Sequence, residues 1–115
     1  MADDVVYVNI EEGVKRVMNN KKLYVKLLHK FIVDMNIDEL FVTVQGGDYE
    51  KAQEQAHTIK GAAANLGLTK LSRQIQDFET HIKAKDIKPG IPEAVKVCYD
   101  STIDEIKKVI AQYGS

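Results

Sequence analysis

Apolar residues return at helical spacing through nearly the whole chain, and nowhere do they alternate for long enough to build a sheet. At about 100° per residue, Ala52, Ala56, Ile59, Ala63 and Leu66 fall on one face of a helix. Leu71, Ile75, Phe78 and Ile82 form a second stripe, and Tyr99, Ile103, Ile106, Ile110 and Tyr113 form a third at heptad-like spacing. The chain has two prolines and no tryptophan, and clusters of Gly, Pro and Asn mark its joints. The pattern predicts an all-α fold, an antiparallel four-helix bundle with a short additional N-terminal helix.

The first helix is expected to start near Asn9, a capping side chain with Glu12 three residues later, and to end around Asn19-Asn20. One long segment then runs from about Lys21 to Gln45. Tyr24, Leu28, Phe31 and Met35 set its first phase, while Ile37, Leu40, Phe41 and Val44 follow in a shifted one, which marks a bend near Asn36. Gly46-Gly47 closes that segment. Asp48 caps a third helix that runs to Leu66 and is stopped by Gly67. A fourth spans about Thr69 to Lys85, and Lys88-Pro89-Gly90-Ile91-Pro92 forms the joint before the last. The 115 residues fit a single domain, 1–115, with the bundle over roughly 20–113.

Charge and composition narrow the function. The formal net charge is −1, and such a chain lacks the basic field that nucleic acid or an anionic membrane requires. A lone cysteine, Cys98, excludes an internal disulfide. The first residues lack the pattern of a secretory signal, and no apolar run approaches the roughly 20 residues that span a bilayer. These features predict a soluble cytoplasmic protein; a monomer is the expected state, although the sequence does not decide whether the domain dimerises.

The helix with the alanine stripe carries a different chemistry on its other side, where His57, Lys60, Gly61 and Ala64 gather. An unperturbed imidazole titrates near about 6.5, so roughly three quarters of it is neutral at pH 7, with one nitrogen lone pair free to attack an electrophile. Lys60, one turn along, offers a positive head group to an anion. Glycine inside a helix costs roughly 1 kcal/mol relative to alanine, so Gly61 on an outward face reads as clearance for an approaching partner. Ala64 keeps the next turn low. On the fourth helix, Ser72, Gln76, Glu79 and Lys83 make a polar stripe beside the apolar one, a seam where helices meet. His29 and His81 are assigned structural or solvated roles. No Cys/His or His/carboxylate spacing suits a metal, so neither metal nor cofactor is expected.

His57-x-x-Lys60-Gly61, followed by small residues and Leu66-Gly67, resembles the signature of histidine-containing phosphotransfer (HPt) domains, the helical carriers of phosphorelays. The resemblance extends from about Asn9 to the end of the last helix and takes in the Gly-Gly-Asp turn before the histidine helix. It implies a carrier that holds a phosphoryl group on His57 between receiver-domain aspartates. Its partners would be response-regulator receiver domains and a hybrid sensor histidine kinase. It also implies that Lys60 contacts phosphate. In the family a Gln or Glu from the following helix, spaced from the histidine as Glu79 is here, hydrogen-bonds the imidazole. Lys83 matches a position that is basic in some relatives and serves to dock a receiver or touch phosphate. Nothing resembles the ATP-binding boxes of histidine kinases, so the chain is expected to be no enzyme by itself. Two alternatives stay open: the substrate domain of a chemotaxis-type histidine kinase, which the glutamate favours, and a helical-bundle adaptor that binds receivers without covalent chemistry.

Overall fold

The computed structural model describes residues 7–113, which form six helices and no strand. They are α1 (Ile10–Arg16), α2 (Lys21–Asp34), α3 (Ile37–Gln45), α4 (Tyr49–Asn65), α5 (Thr69–Ala84) and α6 (Ile91–Tyr113). Side-chain caps explain four of the starts. Asn9, Asn20 and Asp48 each accept a backbone N–H from the third residue on, and Asn36 accepts two, from Asp38 and Glu39.

Two boundaries differ from expectation. α1 ends at Arg16, before the Asn pair, because Met18 and Asn19 adopt left-handed backbone with φ of 59° and 62°. The segment from Lys21 to Gln45 is two helices rather than one bent helix. Met35 and Asn36 are extended, and the Asn36 cap starts a new helix instead of continuing the old one. α6 secures this break: the Tyr99 hydroxyl donates to the Met35 carbonyl at 2.6 Å, and Lys96 pairs with Asp38 at 3.4 Å.

α4 buries its alanine stripe as the periodicity requires. Ala52, Ala56, Ile59 and Ala63 all lie in the core, joined by Leu66 at the helix end. Small side chains let a neighbouring helix come close. α5 is that neighbour, making the most extensive contact in the fold after the short turn Leu66–Leu68. It contributes Leu71, Ile75, Phe78 and Ile82, with Phe78 meeting Phe41 of α3 edge-on at 5.9 Å. α6 packs on α2 and α5, and α3 on α4, which closes a helical bundle.

The core face of α6 is rotated from the expected stripe. Val95, Cys98, Tyr99, Thr102, Ile106 and Val109 are buried, Ile103 and Ile110 lie at the rim, and Tyr113 is exposed. Thr102 reaches the core because its hydroxyl donates to the Cys98 carbonyl one turn back, at 2.7 Å. Its polarity is satisfied within the helix, so burial leaves no orphaned donor.

α1 is tied to the far end of the site helix. The Asn9 N–H donates to the Gly67 carbonyl at 2.8 Å, and the buried Tyr24 hydroxyl donates to the Leu66 carbonyl at 2.7 Å. Burial pushes the Tyr24 phenol up to about 12, so it stays a donor throughout the ordinary pH range. Gly13 lies against both partners, and a Cβ there would collide with the Tyr24 ring and come within 2.6 Å of the Leu66 carbonyl. Gly67 has φ +75°, and a side chain on it would strike the Asn9 carbonyl. No helix among the described residues is long and apolar enough to cross a membrane.

Candidate functional site

The heptad-like turns of α4 that bury Ala56, Ile59 and Ala63 also turn His57 outward. Its side chain is 69% exposed, yet it lies against a buried acid: Nδ1 is 3.6 Å from Oε2 of Glu79 on α5, whose own side chain is only 6% exposed. With Nδ1 turned toward α5, Nε2 is the ring nitrogen left for a reactant.

Glu79 is the centre of the cluster. Lys60 Nζ donates to its Oε1 at 3.0 Å, and Lys83 Nζ stands 4.0 Å from its Oε2. Burial by itself would raise the Glu79 carboxyl. The Lys60 hydrogen bond and the charges of Lys60, His57 and Lys83 outweigh that, and hold it below the usual carboxylate range. The acid is therefore ionised at neutral pH although it sits among core residues.

The cluster departs from the expected pattern at one contact. A separation of 3.6 Å is too long for a hydrogen bond, so the expected bond between Glu79 and the imidazole is not made in this conformation. The carboxylate gives its short contact to Lys60 instead, whose ammonium on a flexible stem can approach a buried charge closely. Lys60 is half-buried by this contact, and its head group lies beside the imidazole's acidic partner.

Gly61 is exposed, and a Cβ placed on it would meet nothing within 4 Å. No close-packed backbone requires the glycine, so the surface next to His57 is open. Ala64 is half-buried further along α4, and Lys83 is exposed on α5. Of the six residues singled out from the sequence, His57, Lys60, Glu79 and Lys83 form one electrostatic cluster, while Gly61 and Ala64 shape the surface of α4.

The remaining candidates lie elsewhere. His81 Nδ1 is 3.2 Å from the Asp86 carbonyl, at the C-terminal end of α5, and His29 is exposed on α2. Cys98 is buried in α6, and burial pushes its thiol up, away from nucleophilic character. Among the described residues no group of three or more His, Cys, Asp or Glu side chains is placed to hold a metal ion.

From the sequence alone an edge-of-core Glu79 can also pair with a nearby lysine, and what spacing did not specify is that this lysine is Lys60. Glu79 follows Phe78 and precedes Ile82 by less than a turn, so it borders the apolar stripe of α5. An acid at that border, across from a lysine on the partner helix, is the signal that was available.

Comparison with known proteins agrees with this geometry. The family model described as Hpt domain matches residues 26–112. The chain belongs to the Hpt domain family, the phosphocarrier modules of histidine phosphotransfer in two-component signalling. Searches of curated proteins and of solved structures returned no match.

Proposed function

We propose that this protein carries a phosphoryl group on His57 between the aspartates of receiver domains. The observation that supports this reading most is an outward imidazole whose Nδ1 faces a buried, ionised Glu79 while open surface lies beside it at Gly61. A carboxylate on that side favours the tautomer with its proton on Nδ1, which leaves the Nε2 lone pair for phosphorus.

Transfer then proceeds as a simple displacement. Nε2 forms a bond to phosphorus as the aspartyl O–P bond breaks, and the electron pair leaves with the receiver's carboxylate. The proton on Nδ1 stays in place, and the reverse displacement passes the group to the next aspartate. Phosphoryl transfer depends mainly on positioning and on balancing charge at the equatorial oxygens. In this reading Lys60 takes that balancing role, Lys83 forms the receiver-docking edge, and Gly61 and Ala64 give the partner's loops room.

In this reading the chain is one domain, arranged as an antiparallel four-helix bundle with α1 added, monomeric and cytoplasmic. Its partners are response-regulator receivers and a hybrid sensor histidine kinase. It needs no cofactor and completes no reaction without a partner. A second reading, as the substrate domain of a chemotaxis-type kinase, draws support from the carboxylate at Glu79; there the phosphoryl donor is ATP in a kinase domain rather than a receiver.

The test is to incubate the protein with phosphorylated receivers and assay for an acid-labile, base-stable phosphoryl group, with His57→Gln as control. Labelling of the wild type and not the variant is the expected result. A stable complex with a receiver and no phosphate on His57 would favour the adaptor reading.

A further inference from the structure

Two groups compete for one buried carboxylate. Lys60 holds Oε1 of Glu79 at 3.0 Å, and His57 Nδ1 waits 3.6 Å from Oε2. We propose that these partners exchange when the phosphoryl group arrives: Lys60 leaves Glu79 for the phosphoryl oxygens, and Glu79 takes the Nδ1–H of His57. This inference rests on the carrier reading.

The charges drive the exchange. In the resting protein the site holds one anion, Glu79, and the Lys60 ammonium at 3.0 Å is the close cationic partner of that carboxylate in the core. Bond formation at Nε2 places two negative charges on the phosphoryl oxygens and one positive charge on the ring. The phosphoryl group then outbids a single carboxylate for Lys60. The same step makes Nδ1–H a stronger donor, facing an acceptor that has to close by only about 0.8 Å to reach hydrogen-bonding distance. After transfer the cluster reads lysine, phosphoryl, imidazolium, carboxylate, with alternating signs along its length.

Lys83 completes the device. At 4.0 Å from Oε2 it stays near Glu79 from the carboxylate's own helix, so the acid keeps a cationic neighbour after Lys60 departs. Glu79 thus acts as a positioning residue in two states: it parks Lys60 at rest and steadies the ring once the ring is charged. The exchange ties Lys60 release to phosphoryl arrival, and return of Lys60 to Glu79 accompanies departure of the group.

The experiment follows the His57 ring nitrogens by NMR in the whole protein, before and after phosphorylation with phosphoramidate as donor. A solvent-protected Nδ1–H is expected to be absent in the resting wild type, present in resting Lys60→Met, and present in the phosphorylated wild type. Loss of that proton in phosphorylated Glu79→Ala would assign its acceptor. A protected Nδ1–H already present in the resting wild type overturns the exchange, as does its absence after phosphorylation. The wild-type comparison needs no variant, so a poorly folded Lys60→Met leaves the test intact. Failure of His57 to take phosphate from either phosphoramidate or a receiver would sink the carrier reading instead, and the resting Lys60→Met spectrum would still report whether lysine and imidazole compete.

Discussion

Lys60 on α4 and Glu79 on α5 form a half-buried ion pair at 3.0 Å that lies beneath the exposed imidazole of His57. The pair couples the packing of the two helices to the chemistry of the surface above. Both helices must be in register for Glu79 to reach Nδ1 from one side and Lys60 from the other.

This pair makes stability depend on acidity in a defined direction. The folded protein holds the Glu79 carboxyl below the usual carboxylate range, so ionised Glu79 stabilises the fold at pH values above that range. The contribution is lost as pH falls through the depressed folded value. Urea unfolding of the wild type and Glu79→Gln should therefore show a wild-type advantage at pH 7 that shrinks on acidification below about 4. A constant difference between the two down to pH 3 would contradict the assignment.

Gly61→Ala separates folding from docking. A Cβ there meets nothing within 4 Å, so alanine should stabilise the helix, by about 0.5–1 kcal/mol. The same methyl group intrudes on the surface a receiver approaches. Phosphoryl transfer from a receiver should slow markedly while reaction with phosphoramidate falls far less. Equal effects on both donors would remove Gly61 from the docking surface.

Gly67→Ala should act in the opposite sense. Its backbone is left-handed and its α-carbon lies against the Asn9 carbonyl, so a side chain adds both strain and a collision. A loss of roughly 2–4 kcal/mol is expected by thermal or urea unfolding. Tyr24→Phe removes the hydroxyl that donates to the Leu66 carbonyl at the same clamp and should cost about 1–2 kcal/mol.

Lys60→Met should slow phosphoryl transfer between receiver and His57 by roughly tenfold, the loss of one charged contact to the moving group. Rapid-quench measurement with a saturating phosphorylated receiver isolates that step. A rate equal to the wild type's would confine Lys60 to pairing with Glu79.

The fold was legible in the sequence wherever burial followed simple periodicity. Ala52, Ala56, Ile59 and Ala63 announced the buried face of α4, and with it the outward direction of His57. Periodicity failed where a polar group found a local partner. Thr102 is buried because its hydroxyl bonds within α6, so the core stripe of that helix includes a residue that hydropathy assigns to solvent. At Asn36 the phase shift was visible, but whether it meant a bend or a break depended on a side chain capping two N–H groups. The clamp of Gly13, Tyr24, Leu66 and Gly67 spans distant parts of the chain, and no local pattern encodes such contacts. At the site the residues themselves were legible from spacing, whereas the preference of Glu79 for Lys60 over His57 depends on tenths of an ångström between packed helices.

The most direct measurement is a phosphorus NMR spectrum of the nitrogen-15-labelled protein after exposure to a phosphorylated receiver. The account predicts a phosphoramidate resonance coupled to Nε2 of His57, which disappears when a fresh unphosphorylated receiver is added. A complex with the receiver and no nitrogen–phosphorus bond, or a bond at Nδ1 or on another residue, would contradict it.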